Sequence, residues 1–575
     1  HMTNLDLHRF SSLQEALHAF IGMHGPNSAL IEVDRDREKV RMNYVELDQI
    51  TKRFSLALLH RLGKNFPRMG IVMSNQSKWL ISAIGLFYAG GTLVPLDYKL
   101  TPEDQLKLIR HSKIEALVTE FPFWKRMKSA DTEGILEKIH VFVTETPEKE
   151  TFTGKTYRWE TMDGSNGDFK LIPCPREAVA CIVYSSGTGG TPKGCMLTHN
   201  NYLTQAQSLS ELYPINQDDT YFSFIPTNHA IDFMCGFLLP LFFGSKIVHQ
   251  RTLRPEFFAS TIQSYKISHM ALVPLLLKTL EEKIRTKLKE LPPLKKIITN
   301  ILISINAAVT RKKPWYGFSR AILAPIHKTF GGHLRLIFAG GAFVEASTAQ
   351  FFYDLGLPVV IGYGLTEAGT VLTVNDLNPF RANTVGKPLN ITQIKINNPD
   401  NHGVGEVWVQ GSTIMKGYFE ADELTQETMQ DGWLKTGDLG KMDHGHLILL
   451  GRQKNMIVTA GGKNVYPEDI ETSFDRIGGV EEYCILAKRL IWPTQDLTND
   501  SMVLVVKPKD DAKTSDVLNE IRNRNRTLAD YKRVTETLIW NASLPRTASM
   551  KIKRNQLADE ITKTTPSNSA GLVQL

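Results

Sequence analysis

Residues 184–194 read "YSSGTGGTPKG": four glycines, several hydroxyl side chains, one proline and one lysine within eleven positions. Glycines let backbone N–H groups turn toward an anion, and hydroxyls with a nearby cation complete a phosphate cradle. Ser185, Ser186, Gly187, Thr188, Gly190 and Lys193 are the candidates for those contacts. The loop follows the apolar run "ACIVY" and is expected to lead into a helix starting near "THNNYL", which would aim backbone N–H groups at the anion. Two familiar nucleotide fingerprints do not fit. A Walker loop needs Gly-Lys followed by Ser or Thr, whereas Lys193 stands between Pro192 and Gly194. A GxGxxG pattern counted from Gly187 meets Pro192 where its last glycine should be.

The elements that must hold such a loop are legible upstream and downstream. Apolar runs at 70–74, 115–119, 178–186, 246–250, 269–274, 334–341 and 357–364 alternate with helical segments, the rhythm of an α/β fold with buried strands. After about residue 450 the pattern restarts on a smaller scale: a helix at 467–477, strands at 481–489 and 501–508, a helix near 515–528 and a strand at 535–540. The fold class expected is α/β, a large N-terminal domain followed by a separate small α/β C-terminal domain; the resemblance given below further implies that the large one has several subdomains and that the small one is mobile. Residues 144–169 are polar and turn-rich and are expected on the surface. The stretch "WLISAIGLFYAGGTLVPL" (79–96) carries no charge over eighteen residues, yet Gly90, Gly91 and Pro95 interrupt it. A buried helix followed by a short core strand fits it better than a membrane span.

With 575 residues, 42% of them apolar and 22% charged, the chain has the composition of a multidomain globular protein. Sixty-seven basic against sixty acidic residues give +7, too mild to argue for nucleic acid as a partner. Five scattered cysteines form no CxxC pair, which speaks against a disulfide framework or a zinc site. No stretch near the N-terminus has the pattern of a cleavable signal, and the expected location is cytoplasmic.

Six further motifs follow the glycine-rich loop in order. They are "FAGGA" (338–342), "GYGLTE" (362–367), "GEVWVQGSTIMKGY" (405–418), "GWLKTGDLG" (432–440), "GRQKNMIVTAGGKNVYPEDIE" (451–471) and "LPRTASMKIKR" (544–554). Together they resemble the adenylate-forming superfamily over roughly residues 30–560. The resemblance implies ATP and Mg²⁺ as cofactors, with Thr188 and Lys193 on the phosphates, Glu367 and Thr188 toward the metal, and Thr366 on the α-phosphate. Gly340, Gly341, Ala342, Gly362, Tyr363 and Gly364 would frame the adenine, and Asp438 with Arg452 the ribose. Lys454 would mark the hinge, and Lys551 would bridge the substrate carboxylate and α-phosphate. His229 in "PTNHAIDF" is read equally as a core histidine or as the family's histidine beside the acyl group. The implied domains are 1–452 for nucleotide and acyl binding, 453–562 for a mobile domain bearing the lysine, and a flexible tail at 563–575.

Two positions depart from the family pattern. Gly189 stands where threonine is usual, and Met550 where glycine usually precedes the lysine. If position 550 needs a positive φ, a methionine there is strained by roughly 1 kcal/mol or more.

The stretch between residues 274 and 339 is long and resembles that of long-chain acyl-CoA synthetases, which implies a fatty acid as substrate. Within it, 281–328 holds eleven Lys or Arg against three Glu, an excess larger than the whole chain's +7. Ile297, Ile298, Ile301, Leu302 and Ile305 share one helical face beside Lys295 and Lys296. The plain expectation is a surface helix with that face in the core; the alternatives are an anionic bilayer, with the protein peripheral at the inner membrane surface, or an acidic acyl carrier protein. The acceptor implied is coenzyme A, or else the phosphopantetheine of a carrier protein, as in acyl-carrier-protein synthetases and fatty acyl-AMP ligases. A catalytically silent nucleotide- or acyl-binding protein is the rival of another class.

Overall fold

The computed structural model describes residues 5–164, 167–185, 192–340, 344–459, 463–492, 500–547, 550–564 and 572–575. Ser186, Gly187, Thr188, Gly189, Gly190, Gly341 and Ala342 therefore lie outside the described residues. The chain forms two compact units, the first His1–Gln393 with Val409–Leu434, the second Ile394–Trp408 with Lys435–Leu575.

Two sheets organise the first unit. One has nine strands, in the order Lys387–Pro388, Thr373–Val374, Val359–Tyr363, Leu336–Ala339, His269–Leu272, Thr220–Ser223, Lys246–Gln250, Ser28–Asp34 and Arg37–Asn43. The other has eight: Gly417–Tyr418, Gly194–Thr198, Val179–Tyr184, Thr92–Leu96, Arg68–Val72, Ala116–Glu120, His140–Thr144 and Thr156–Arg158. Neighbours in the middle of each sheet pair in parallel, which explains why the central strands read as unbroken apolar runs rather than alternating ones. One apolar core, containing Trp79, Phe87, Phe222, Phe237 and Phe352, joins both sheets.

Local signals set the helix ends. Tyr44–Leu62 starts at a reciprocal capping box of Asn43 and Glu46 and stops at Gly63 in the left-handed conformation. The uncharged stretch 79–96 divides as expected: a helix Ser77–Tyr88, buried at every position except Lys78, then the strand Thr92–Leu96. Among the described residues no helix is long and apolar enough to cross a membrane. The polar stretch 144–169 is not wholly superficial, because Trp159 is buried and its indole N–H donates to Ser82 Oγ at 2.9 Å.

In the second unit, strands Val480–Ala487, Met502–Pro508 and Glu536–Ile539 form a sheet whose period-two alternation feeds two cores. Ile485, Leu504 and Val506 face one, and Cys484, Val503 and Val505 the other. The expected helix at 467–477 is shorter, Pro467–Glu471 followed by a tight turn at Thr472–Phe474. Leu572–Gln574, expected in a flexible tail, pairs antiparallel with Glu536–Leu538 and completes the sheet edge. The expected boundary at 452 falls inside this unit. Strand His446–Arg452 packs against helix Pro467–Glu471 so closely that a Cβ on Gly451 would meet Glu468 Oε2 at 2.6 Å.

Candidate active site

The helix expected near "THNNYL" is present, His199–Leu212 capped by Thr198, with a strand between it and the glycine-rich loop. Val179–Tyr184 pairs antiparallel with Gly194–Thr198, Tyr184 opposite Gly194, and helix His199–Leu212 begins only after that second strand. The loop is thus the connection of a β-hairpin, closed by the Ser185 N–H donating to the Lys193 carbonyl at 3.2 Å. Of the residues flanking that connection, Lys193 is exposed. The sequence misleads at "CMLT", a short apolar run that continues smoothly into a capped helix.

Behind the hairpin lies Glu367. It sits in the tight turn Thr366–Ala368, and its carboxylate accepts a hydrogen bond from the Tyr418 hydroxyl at 3.0 Å, while its carbonyl accepts from the Met415 N–H at 2.8 Å. Tyr418 pairs with Cys195 in the sheet, so hairpin and carboxylate are tied through one strand. Burial, and after it the Glu367 carboxylate, push the Cys195 thiol well up, while Lys193 acts in the opposite direction. Both charges therefore act on the same buried thiol.

Tyr363 ends the strand Val359–Tyr363 and is buried. Gly364 follows because no side chain fits: a Cβ there would lie 1.1 Å from the Thr370 carbonyl oxygen. Gly340, at the end of the neighbouring parallel strand, has the Gly362 carbonyl 3.0 Å and Ile231 Cδ1 3.3 Å from its Cβ position. Gly362 itself meets only ordinary contact, with Thr373 O at 3.6 Å. Ile231 belongs to the short helix Ala230–Phe233, which His229 precedes, so the segment bearing His229 packs beside the two glycine motifs. His229 is half-buried, and its N–H donates to the Pro226 carbonyl at 2.8 Å. Beneath it Asp232 is fully buried and accepts from Ser223 Oγ at 2.9 Å and Thr227 Oγ1 at 2.8 Å. Burial pushes its carboxyl up to about 7, with the hydrogen bonds from Thr227, Ser223 and Tyr221 acting the other way.

The remaining expected residues belong to the second unit. Asp438 is buried and stands opposite Arg452 in an antiparallel strand pair; Arg452 Nη1 donates to Asp438 Oδ1 at 2.7 Å. The backbone here is fixed by the Gly437 N–H donating to Glu406 Oε2 at 3.1 Å and by Thr436 Oγ1 donating to the Val407 carbonyl at 2.6 Å. Lys454 is exposed in the turn Gln453–Asn455, whose Asn455 Nδ2 donates to Glu468 Oε1 at 2.6 Å. Lys551 is exposed next to Met550, which takes φ 68°. The turn is closed by the Thr547 N–H on the Lys551 carbonyl at 2.7 Å and the Lys551 N–H on Thr547 Oγ1 at 3.1 Å. Arg546 holds it from outside. Its Nη1 donates to the Met550 carbonyl at 2.8 Å, and its Nε to Glu482 Oε1 at 3.2 Å.

Tyr418, Asp232 and Arg546 were not singled out by the sequence. Tyr418 and Arg546 lie inside recognised motifs and Asp232 three residues after His229, but only the folded contacts show what they hold. The chemistry that Glu367 offers is oxygen donation to a hard cation. Among the described residues no group of three or more His, Cys, Asp or Glu could hold a metal ion. A single carboxylate fits Mg²⁺ arriving with phosphates, which supply the other oxygens.

The fold and this arrangement are those of a nucleotide-using α/β enzyme with a small second unit. Residues 21–419 match the AMP-binding enzyme family, and the chain belongs to that family. It is 27% identical over 456 residues to the long-chain-fatty-acid–CoA ligase ACSBG2 of Gallus gallus, a match covering 75% of this chain and 59% of that protein. It is 24% identical over 546 residues to the long-chain-fatty-acid–[acyl-carrier-protein] ligase AEE15 of Arabidopsis thaliana, covering 81% and 73%. In fold it is similar to the O-succinylbenzoate coenzyme A synthetase of Bacillus subtilis solved with ATP and magnesium, with TM-score 0.72, 22% identity and coverage of 94% and 98%.

Proposed function

We propose that this chain activates a long-chain fatty acid with ATP and passes the acyl group to the thiol of coenzyme A. The carboxylate oxygen attacks the α-phosphorus, the α–β phosphoanhydride bond breaks, and pyrophosphate leaves with its electron pair. The thiol sulfur then attacks the acyl carbon, the bond to AMP breaks, and the thiol proton passes to solvent. The observation that carries the reading is the convergence of the Ser185–Lys193 hairpin with Glu367, held by Tyr418, inside a family of AMP-binding enzymes.

In this scheme Lys193 and the loop N–H groups bind the β- and γ-phosphates, and Glu367 is the residue that would hold Mg²⁺. When bound, the ion neutralises phosphate charge and stabilises the departing pyrophosphate. Tyr363 packs against adenine, and Asp438 accepts from the ribose hydroxyls with Arg452 fixing its orientation. Lys551 stabilises charge between carboxylate and α-phosphate in the first half-reaction only and gives way to the thiol in the second. The fatty acid and the two possible acceptors are supported by the names of the relatives, one a coenzyme A ligase and one a carrier-protein ligase.

The test is exchange of labelled pyrophosphate into ATP with acids of graded chain length and with aromatic acids, followed by thioester formation offered coenzyme A or holo-carrier protein. Exchange that depends on long-chain acids, with thioester on coenzyme A, is the expected result. Exchange driven only by aromatic or short acids overturns the substrate, and no exchange with any acid overturns the activity in favour of a silent binding protein.

A further inference from the structure

Helix Pro293–Val309 is inside out. Leu294, Ile297, Ile298, Ile301, Ile305 and Val309 fall on one face at helical spacing, and they are 71, 58, 48, 53, 43 and 45% exposed. The opposite face does the docking onto the rest of the first unit. There Ile303 packs against the core, and the buried Asn306 donates to the Asp354 carbonyl at 2.8 Å and accepts from Ser319 Oγ at 2.7 Å. The expectation that the isoleucines turn inward is overturned, because polar Asn306 fixes the helix the other way round. A contiguous aliphatic stripe on the surface marks an interaction site.

Charge identifies the occupant. Lys295 and Lys296 sit at one end of the stripe and Arg311, Lys312 and Lys313 just past the other, and no Asp or Glu occurs between Glu290 and Glu345. Trp315, 60% exposed and stacked on Phe318 with ring centroids 5.2 Å apart, follows the second cluster. An aliphatic stripe with cations at both ends and an indole at one of them is the pattern of a helix lying in a bilayer interface, its apolar side among acyl chains and its lysines at anionic headgroups. A second copy fits poorly: parallel or antiparallel, two such helices would bring basic ends together. A small acidic protein would match the charges but leave the aliphatic stripe without an apolar counterpart.

We propose that helix Pro293–Val309, with Arg311–Lys313 and Trp315, docks this protein in the plane of an anionic membrane surface. At seventeen residues the helix is about 25 Å long, enough to lie along the interface. The proposal stands whichever acid the enzyme activates, because it rests on the surface alone.

The experiment is flotation of the full chain with unilamellar vesicles of phosphatidylcholine alone or mixed with phosphatidylglycerol, at low and high salt. Wild type should float with the anionic vesicles at low salt, weakly at high salt, and not with the neutral ones. Joint replacement Ile297→Ser, Ile301→Ser and Ile305→Ser should weaken binding about tenfold or more by removing the inserted stripe. Replacement of Lys295, Lys296, Arg311, Lys312 and Lys313 by glutamine should abolish the salt dependence. All these positions are on the surface, and unchanged circular dichroism confirms that each variant is folded. Wild type that fails to float with anionic vesicles, or triple-serine protein that floats as well as wild type, overturns the proposal. So does a dimer in sedimentation that the serine variant dissolves, or capture by holo-carrier protein without vesicle binding.

Discussion

Tyr418 and Glu367, 51 residues apart in the chain, are joined by a hydrogen bond from the phenol to carboxylate Oε1 at 3.0 Å. The phenol is buried, and burial followed by the neighbouring carboxylate pushes its ionisation far up, so it remains a donor throughout the working pH range. A donor that cannot be lost holds the carboxylate in one rotamer before any metal or nucleotide arrives.

Tyr418→Phe should therefore leave the fold intact and raise the Mg²⁺ requirement of pyrophosphate exchange. A hydrogen bond to a charged group is worth about 1.5–3 kcal/mol, so the shift should be about tenfold or more. Glu367→Ala should abolish exchange. An unchanged Mg²⁺ titration in the phenylalanine variant would remove Tyr418 from the site.

Gly364 and Gly362 offer a matched pair. Gly364→Ala puts a Cβ 1.1 Å from a backbone oxygen, whereas Gly362→Ala makes an ordinary contact at 3.6 Å. Thermal unfolding should show Gly364→Ala destabilised by about 3 kcal/mol or more, the upper range for overpacking, and Gly362→Ala within about 1.5 kcal/mol of wild type. Equal melting temperatures for the two variants would contradict the close approach of Thr370.

Lys551→Ala should lose acyl-AMP synthesis by orders of magnitude and keep thioester formation from supplied acyl-AMP. Because Met550 has φ 68°, Met550→Gly should relieve roughly 1 kcal/mol of backbone strain in the turn. Arg546→Ala releases the Met550 carbonyl and should slow adenylation while sparing transfer, since Arg546 positions the lysine through the backbone. Single-turnover rates of each half-reaction check all three; equal loss of both steps would count against alternating use of the lysine.

Asp232 gives the fold a pH signature. Its carboxyl titrates at about 7 in the folded chain, against an ordinary 3.8, because burial disfavours the charge. The folded state therefore binds more protons than the unfolded one between those values. The contribution of this group is greatest below about pH 4, declines through pH 7 and levels off above it. Asp232→Asn should flatten that decline and raise the melting temperature at pH 8, because the Ser223 and Thr227 hydroxyls both donate to Oδ2 and an amide oxygen in its place keeps both bonds. A melting profile in which the variant keeps the wild-type slope would contradict the buried carboxyl.

Motif order and apolar rhythm were enough to read the α/β class and the division of 79–96 into a buried helix and a strand, because each depends on contiguous residues. The hairpin at the glycine-rich loop was not legible: "GCMLT" pairs with a strand that precedes it, and pairing partners are set by the sheet rather than by local propensity. The same holds for Tyr418 and Arg546, whose partners lie 51 and 64 residues away. Helix Pro293–Val309 is the clearest case. Its periodicity showed that one face is apolar, but the same spacing serves a face turned toward the core and a face turned away from it. Only the packing of Ile303 and Asn306 decided that the isoleucines face outward. Sequence spacing fixes which residues share a face, and the tertiary structure decides which face is turned inward, because burial is a property of neighbours the helix itself does not contain.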